Sequence, residues 1–312
     1  MSWKFTEDVE EYARAAGPLL AARAAEHTVS LTVIENARAS GRSRSTLGEP
    51  EIFGWWIDAT GAVSGAVSHT PPYELLLGVV PDEAMRPLAR ELLDRGRRPA
   101  GVNGTTPPAV EFGSVWSALT GDRVVLGFAM RLYRLGELVP PHPAPPGRAR
   151  LATTDDTALL VEWVLGFDED AGTHIHDAGA EVADRLRYGG LTLWEDDDGT
   201  PVSLAGRTRP AAGVVRIGPV YTPRALRRRG WGAAVTAAAS RDALDHGGLE
   251  VVLFTDLANP TSNELYQRLG YRAVSDRAAP PSRPSRRDQA GRPVGRCSPG
   301  SCSSSTEAWS KA

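Results

Sequence analysis

The chain has 312 residues, more than one ordinary domain needs and enough for two. A net charge of −3 and an apolar fraction of 41% exclude a strongly basic nucleic-acid binder and a membrane-surface protein. No apolar run reaches the length of a membrane span, and the polar, acidic start Met1–Glu10 is not a secretory leader, so the expected location is cytoplasmic with no membrane partner. The only cysteines are Cys297 and Cys302, which argues against a disulfide framework or structural zinc; no metal is expected.

Apolar spacing predicts a helix over Glu7–Ala25. Phe53–Ile57 reads as a strand, and the nearly continuous apolar run Tyr73–Val80 as a buried one. Pro81-Asp82-Glu83 opens a helix reaching about Gly96, since proline and acids suit a first turn. Gly101–Thr106 is glycine-rich and loop-like, Phe112–Leu119 is helix-like, and Val124–Leu135 reads as one or two strands. The prolines of Val139–Gly147 make a stiff linker, placed here as the domain boundary. Beyond it come a strand at Ala149–Ala152, an N-cap in Thr154–Asp156, and helices over Thr157–Leu165 and Ala180–Tyr188. Leu191–Glu195 and Pro201–Thr208 form a hairpin turned at Asp198-Gly199. Val214–Tyr221 is a strand, Gly230–His246 a long helix capped by Gly247-Gly248, and Leu249–Thr255 a buried strand. A short helix from Asn259-Pro260 to Gly270 and a strand at Tyr271–Val274 complete the order. From Ser275 the chain is rich in Arg, Pro, Ser and Gly, too poor in apolar side chains to offset ordering entropy, and reads as a disordered tail.

The chemistry concentrates where the strand Val214–Tyr221 turns through Thr222–Leu226 into Arg227-Arg228-Arg229-Gly230-Trp231-Gly232 at a helix start. Unpaired helix N–H groups and the positive dipole end bind phosphate, and glycines at 230 and 232 admit a pyrophosphate close to the backbone. The pattern is neither a Walker loop nor a dinucleotide fingerprint. Val-Tyr-Thr-Pro followed by Arg-x-x-Gly-x-Gly resembles the acetyl-CoA-binding motif of the GNAT superfamily of N-acetyltransferases. Phe254–Tyr271, with its Asn259, Tyr266 and Gly270-Tyr271, resembles the motif that follows it, and the two occur here in the family's order. The resemblance covers roughly residues 148 to 274.

The resemblance implies an α+β fold and transfer of an acetyl group from acetyl-CoA to a primary amine by direct attack in a ternary complex. It implies that the Val220 N–H polarises the thioester carbonyl, that Thr222 pairs through its backbone with the pantetheine arm, and that the N–H groups of Arg228 to Ala233 hold the pyrophosphate beside Arg227. Asn259 would bond the pantetheine region, and Tyr266 would protonate the departing thiolate. The absence of cysteine from residues 148–275 agrees with a path that has no covalent enzyme intermediate. The acceptor is a small-molecule or peptide amine, left open by the sequence. Candidate bases are Glu162, Asp168, Glu169 and His174, with a water chain as another route. His174 and His176 form a His-x-His pair for which a solvated loop outweighs a metal or substrate-lining role.

The first half repeats the order strand, turn, helix, strand and short helix, with Ala100–Asn103 at the second strand position. It therefore reads as a degenerate second GNAT-like unit. It has no Gly-x-Gly, and Asp82 and Glu83 stand where a phosphate would bind, so no CoA is expected there. The expected architecture is two GNAT-like domains, each a mixed, mostly antiparallel sheet flanked by helices: 1–138 degenerate, 139–147 linker, 148–275 catalytic, 276–312 disordered. The family pattern adds a last strand beside Leu249–Thr255. Asp276–Pro284 cannot supply it, because prolines are excluded from a central strand, so an altered C-terminus and an unpaired edge on Leu249–Thr255 are expected. The rival to catalysis is a non-catalytic acyl-CoA-binding or sensing module. Nucleic-acid binding through the arginine turn is disfavoured by the net charge.

Overall fold

The computed structural model describes residues 1–40, 49–71, 73–122, 129–172, 175 and 177–278. His174, His176 and the tail from 279 onward lie outside the described residues, as does the 123–128 part of the strand expected over Val124–Leu135. Twelve strands form one sheet in the order β1-β2-β3-β4-β5-β12-β6-β11-β10-β9-β8-β7. The first half supplies β1 (Ser2–Thr6), β2 (Ile52–Ile57), β3 (Val63–His69), β4 (Leu75–Leu77), β5 (Val102–Thr105) and β6 (Ala129–Leu135). The second half supplies β7 (Arg148–Leu151), β8 (Leu191–Glu195), β9 (Pro201–Arg207), β10 (Val214–Tyr221), β11 (Glu250–Asp256) and β12 (Tyr271–Ala278). Among the described residues, only β4–β5 and β10–β11 pair in parallel. The helix that crosses between each parallel pair is α3 (Asp82–Asp94) in the first half and α7 (Trp231–Asp245) in the second.

Helices cover both faces. β2 is buried on both sides because Phe53 and Trp55 face α1 (Val9–Ala21) and α2 (Thr28–Ser40), while Ile52 and Trp56 face α3 and α4 (Thr106–Thr120). In the second half α5 (Thr157–Ala171) and α6 (Ala178–Arg187) cover one face through Leu160, Trp163 and Val182. α7 and α8 (Pro260–Arg268) cover the other through Val235, Ala239 and Tyr266. Ala25, in the turn between α1 and α2, packs with Leu132, Val214 and Val252, so the first half also covers part of the second half's sheet.

The expected helix Glu7–Ala25 is two helices. Asp8 caps α1, its carboxylate accepting the Glu10 N–H at 2.8 Å, and α2 follows after a turn. The sequence reading missed α2, β1 and β3. It placed Gly101–Thr106 in a loop, whereas Val102–Thr105 is the strand β5, and its Tyr73–Val80 strand shortens to Leu75–Leu77. The cap expected in Thr154–Asp156 is Asp156, which precedes α5, and its carboxylate also accepts the Thr153 N–H at 2.8 Å in a capping box around the turn before the helix.

The largest departure concerns the closing strand. The expected open edge on Leu249–Thr255 does not exist: β6 crosses from the first half and pairs with β11 from Val252↔Arg134 to Asp256↔Met130. Its other side pairs with β12, from Tyr271↔Leu135 to Ala278↔Ala129. The order therefore continues past Ser275, where a tail was expected. Asp276 accepts from Arg131 at 2.8 Å, and Arg277 and Ala278 are buried and pair with Thr105 and Gly104 of β5. β12 is described through Ala278, which pairs with β5 and so joins the two halves.

Residues 139–147 run across the second half. Val139 N–H donates to the Leu269 carbonyl at 3.0 Å, and the Pro146 carbonyl accepts the indole N–H of Trp194 at 2.9 Å and of Trp231 at 3.2 Å.

Candidate functional site

β10 and β11 separate at the end that carries the motif. Their parallel pairing runs from Val214↔Glu250 to Ile217↔Leu253 and stops. A bulge follows between Ile217 and Val220, after which Val220 and Tyr221 pair only with Ala205 and Leu204 of β9. Val220 thus sits on one wall of a gap between two strands, with a backbone edge that β11 does not use.

The arginine turn lies at the mouth of this gap. Arg228 (φ +67°) and Gly230 (φ +84°) both adopt the left-handed conformation. That geometry turns successive N–H groups toward one side, the arrangement of an anion nest. α7 begins at Trp231, and the first turn amides of Ala233 and Ala234 donate to the Gly230 carbonyl at 3.1 Å. The amides of Arg228, Arg229, Gly230, Trp231 and Gly232 have no backbone acceptor among the described residues. A Cβ on Gly232 would stand 3.4 Å from Thr222 Oγ1, which places the start of α7 in contact range of Thr222.

The arginine side chains do not all point outward. Arg227 donates from Nε to the Thr222 carbonyl at 2.9 Å and ion-pairs with Asp170 on α5. Arg224 ion-pairs with the same carboxylate. Burial works against the charge of Asp170, but the two guanidiniums outweigh it and hold its pKa below the usual range. Arg227 is therefore a tether that fixes the turn to α5 and occupies the Thr222 carbonyl. The Thr222 hydroxyl shares a 2.8 Å hydrogen bond with Ser203 of β9. Arg228 and Arg229 are exposed, with Arg229 stacked over the Trp231 ring at 5.2 Å. The tie of Asp170 to Arg224 and Arg227 spans 54 and 57 residues and that of Ser203 to Thr222 spans 19, so nothing local in the sequence marks either role.

Asn259 caps α8, its Oδ1 accepting the Ser262 N–H at 3.1 Å. Tyr266, one helix face along, is buried against Tyr271, with ring centroids 6.1 Å apart. Its hydroxyl has no hydrogen-bond partner among the described residues, and burial pushes its pKa up to about 12.

On the other face, Glu162, Trp163, Leu165, Gly166, Glu169, Tyr221 and Pro223 line a groove of about 370 Å³. The absence of a side chain at Gly166 lets the Tyr221 hydroxyl lie against α5, where a Cβ would stand 2.6 Å away. Of the acids named as candidate bases, Glu162 and Glu169 face this groove. Asp168 turns to its own loop and accepts the Ile175 N–H at 3.0 Å. No group of three or more metal-ligating side chains occurs among the described residues, and no helix among them is long and apolar enough to cross a membrane.

Residues 200–278 match the family described as FR47-like protein. Solved structures share the fold of nearly the whole chain. A GCN5-related N-acetyltransferase from Sphaerobacter thermophilus superimposes with a TM-score of 0.54 at 18% identity, covering 78% of this chain and 84% of its own. A GNAT-family acetyltransferase from Colwellia psychrerythraea gives 0.54 at 11% identity over 89% and 97%. A Drosophila protein gives 0.61 at 14% identity over 89% and 98%. No curated protein matches. Residues 200–278 are thus similar to the FR47-like family, the chain shares the fold of these acetyltransferase structures, and the gap between β10 and β11 lies within the matched residues.

Proposed function

We propose that the second half, residues 148–275, transfers an acetyl group from acetyl-CoA to a primary amine, with the first half acting as a partner that does not bind CoA. The observation that carries this reading is the end of β10–β11 pairing at Ile217, placed directly beside a turn whose amides have no backbone acceptors. A thioester arm fits between separated strands, and a pyrophosphate fits a nest at a helix N-terminus. α3 in the first half begins with Asp82 and Glu83 instead, which repel phosphate.

In this reading the N–H groups from Arg228 to Gly232 receive the pyrophosphate, while that of Ala233 is held by the Gly230 carbonyl, and the Thr222 amide and Asn259 receive the pantetheine arm. The amine enters by the Glu162–Tyr221 groove and its lone pair attacks the thioester carbon. The Val220 N–H stabilises the oxygen as it becomes anionic. The C–S bond then breaks, Tyr266 donates its hydroxyl hydrogen to the sulfur, and the amine proton leaves through Glu162, Glu169 or water. The reaction requires no metal and no covalent enzyme intermediate, and cytoplasmic acetyl-CoA is its source of acetyl groups.

Calorimetry with acetyl-CoA, followed by a free-thiol assay over a panel of amines, tests this. Binding with thiol release supports transfer. Binding without release for any amine makes the protein an acyl-CoA sensor, and no binding removes the reading altogether. The tether gives a second check. Asp170→Asn frees Arg224 and Arg227, whose side chains are exposed although Asp170 itself is largely covered, so solvent screening on the arginine side limits the loss to about 1 kcal/mol. The expected result is a few-fold weaker acetyl-CoA affinity with unchanged kcat; unchanged affinity would show that the turn holds its shape without α5.

A further inference from the structure

The described residues hold two guanidiniums inside the molecule with no carboxylate paired to either. Arg277 of β12 is 4% exposed. It donates from Nη1 to the Glu26 carbonyl at 2.7 Å and from Nη2 to Asn103 Oδ1 at 3.3 Å. Arg216 of β10 is partly buried and donates from Nη1 to Thr32 Oγ1 at 3.3 Å. The nearby acids are committed elsewhere: Glu26 to Arg23 at 2.5 Å, and Glu181 to Arg185 at 2.9 Å. Burial lowers the pKa of Arg277 to about 10. Burial also lowers that of Arg216 to about 10, and Arg185 and Arg277 add repulsion. Buried cations without counter-charge are costly, and native proteins seldom keep them unless something pairs with them.

Two further polar atoms beside these cations have no partner among the described residues. His27 is 5% exposed and its Nε2 is unbonded; burial and then Arg277 keep the ring neutral, with a pKa of about 4. Ser275 Oγ, two residues before Arg277 and on the same side of β12, is also buried and unbonded. Thr32, which meets Arg216, lies in the first turns of α2, and that helix begins directly after His27. The group is therefore assembled from both halves of the chain.

Its position relates it to the site. Val215 and Ile217 of β10 face α7, so alternation turns Arg216 to the opposite face with Val214. Arg277 lies over the Phe254 ring at 5.7 Å, and Phe254 packs on that same cluster with Val214 and Val252. Tyr221 packs with Trp163 on α5, the side from which the amine approaches. The cations thus share the acceptor's face of the sheet, away from the pyrophosphate turn.

We propose that Arg216 and Arg277, with His27 Nε2, bind a carboxylate on the acceptor, so that the acceptors are amino carboxylates. This rests on the acyl-transfer reading for the word acceptor, while the anion site stands on the buried cations alone. Guanidinium forks match planar oxyanions, and a carboxylate supplies the missing counter-charge. A phosphate monoester shares that chemistry and is separated from a carboxylate by the test.

The full-length chain is titrated by calorimetry with ω-amino carboxylates of rising length, with alkylamines matched to them, and with aminoalkyl phosphates. The same compounds are then run in the thiol-release assay. The expected result is at least tenfold tighter binding of an amino carboxylate than of its alkylamine, and a similar ratio in kcat/KM. Arg277→Lys and Arg216→Gln should each reduce that ratio to within about threefold of unity while acetyl-CoA affinity holds. Equal binding of carboxylates and alkylamines by the native chain overturns the proposal even if neither variant folds, and tighter binding of phosphates overturns the choice of carboxylate. Preferential binding with no thiol released leaves the anion site standing and removes acyl transfer. Thiol release that is indifferent to the carboxylate does the reverse.

Discussion

Replacing Tyr266 by phenylalanine is expected to lower kcat by about a hundredfold and leave acetyl-CoA affinity unchanged. The substitution is unusually clean here. The hydroxyl has no partner among the described residues, so its removal orphans no buried group and stability should shift by less than about 0.5 kcal/mol. A fall in rate therefore reports chemistry and not collapse of the helix. The magnitude follows from the acidity. Burial holds the phenol at about 12, whereas a thiol in water has a pKa near 8.5, so complete proton transfer in water would be uphill by about three units. The same apolar surroundings disfavour a thiolate, which narrows the gap as the C–S bond breaks. Tyr266 then acts chiefly by donating a hydrogen bond to sulfur in the transition state, which places the effect toward the low end of general-acid contributions. Because its pKa is raised, the group stays protonated through pH 10 and imposes no alkaline limb on kcat below that. Above pH 10 the unfolded chain gives up this proton first, so folding stability falls between about pH 10 and 12. An alkaline limb below pH 10 that persists in the phenylalanine variant belongs to another group. Full activity in that variant would remove Tyr266 from the mechanism.

The parts legible in the sequence were those whose signals are local. The strand-turn-helix around Arg227–Gly232, the Asn259–Arg268 helix and the Asp198-Gly199 hairpin are each specified within a few residues, and each is where the pattern put it. What escaped depends on distant partners. Thr28–Ser40 carries β-branched residues at Thr28, Val29, Thr32, Val33 and Ile34, which disfavour a helix on their own. It becomes α2 because Leu31 and Ile34 bury against Tyr12, Leu20 and Phe53. Val102–Thr105 contains one apolar residue and a glycine, and is a strand because β4 lies on one side and Arg277-Ala278 on the other. The site divides in the same way. The amides of the turn follow from glycine spacing, whereas the tether of Arg227 to Asp170 and the company of Arg216 with Arg277 require the fold to bring them together. The tail's composition led to the expectation of an open edge on β11, because nothing local in it reveals that β6 covers that strand.

The strand exchange makes the second large prediction. β6 is the one strand of the first half that lies between two strands of the second, with β11 on one side and β12 on the other. A second half expressed from residue 139 or 148 would expose both inner edges and the apolar row they share with Leu132 and Tyr133. Two adjacent strands then lose their ladders, and such open edges favour aggregation. That fragment is expected to show no cooperative unfolding transition and no acetyl-CoA binding, although it contains every residue of the proposed site. The point-mutation form of the test is Tyr133. It is fully buried in the α7–α8 core, and its hydroxyl donates to Asn263 Oδ1 at 2.8 Å and accepts from Gln267 Nε2 at 3.1 Å. Tyr133→Ala removes an aromatic ring from that core, a change worth about 3–5 kcal/mol, which is much of the stability of an ordinary domain. Tyr133→Phe keeps the ring and strands only the polar partners, costing about 1–2 kcal/mol. Denaturant unfolding of the full chain should rank the two in that order, with acetyl-CoA affinity falling as the second half loosens. A fragment from residue 148 that folds and binds acetyl-CoA as tightly as the full chain would mean that the second half closes its own sheet, and that β6 is a guest in it.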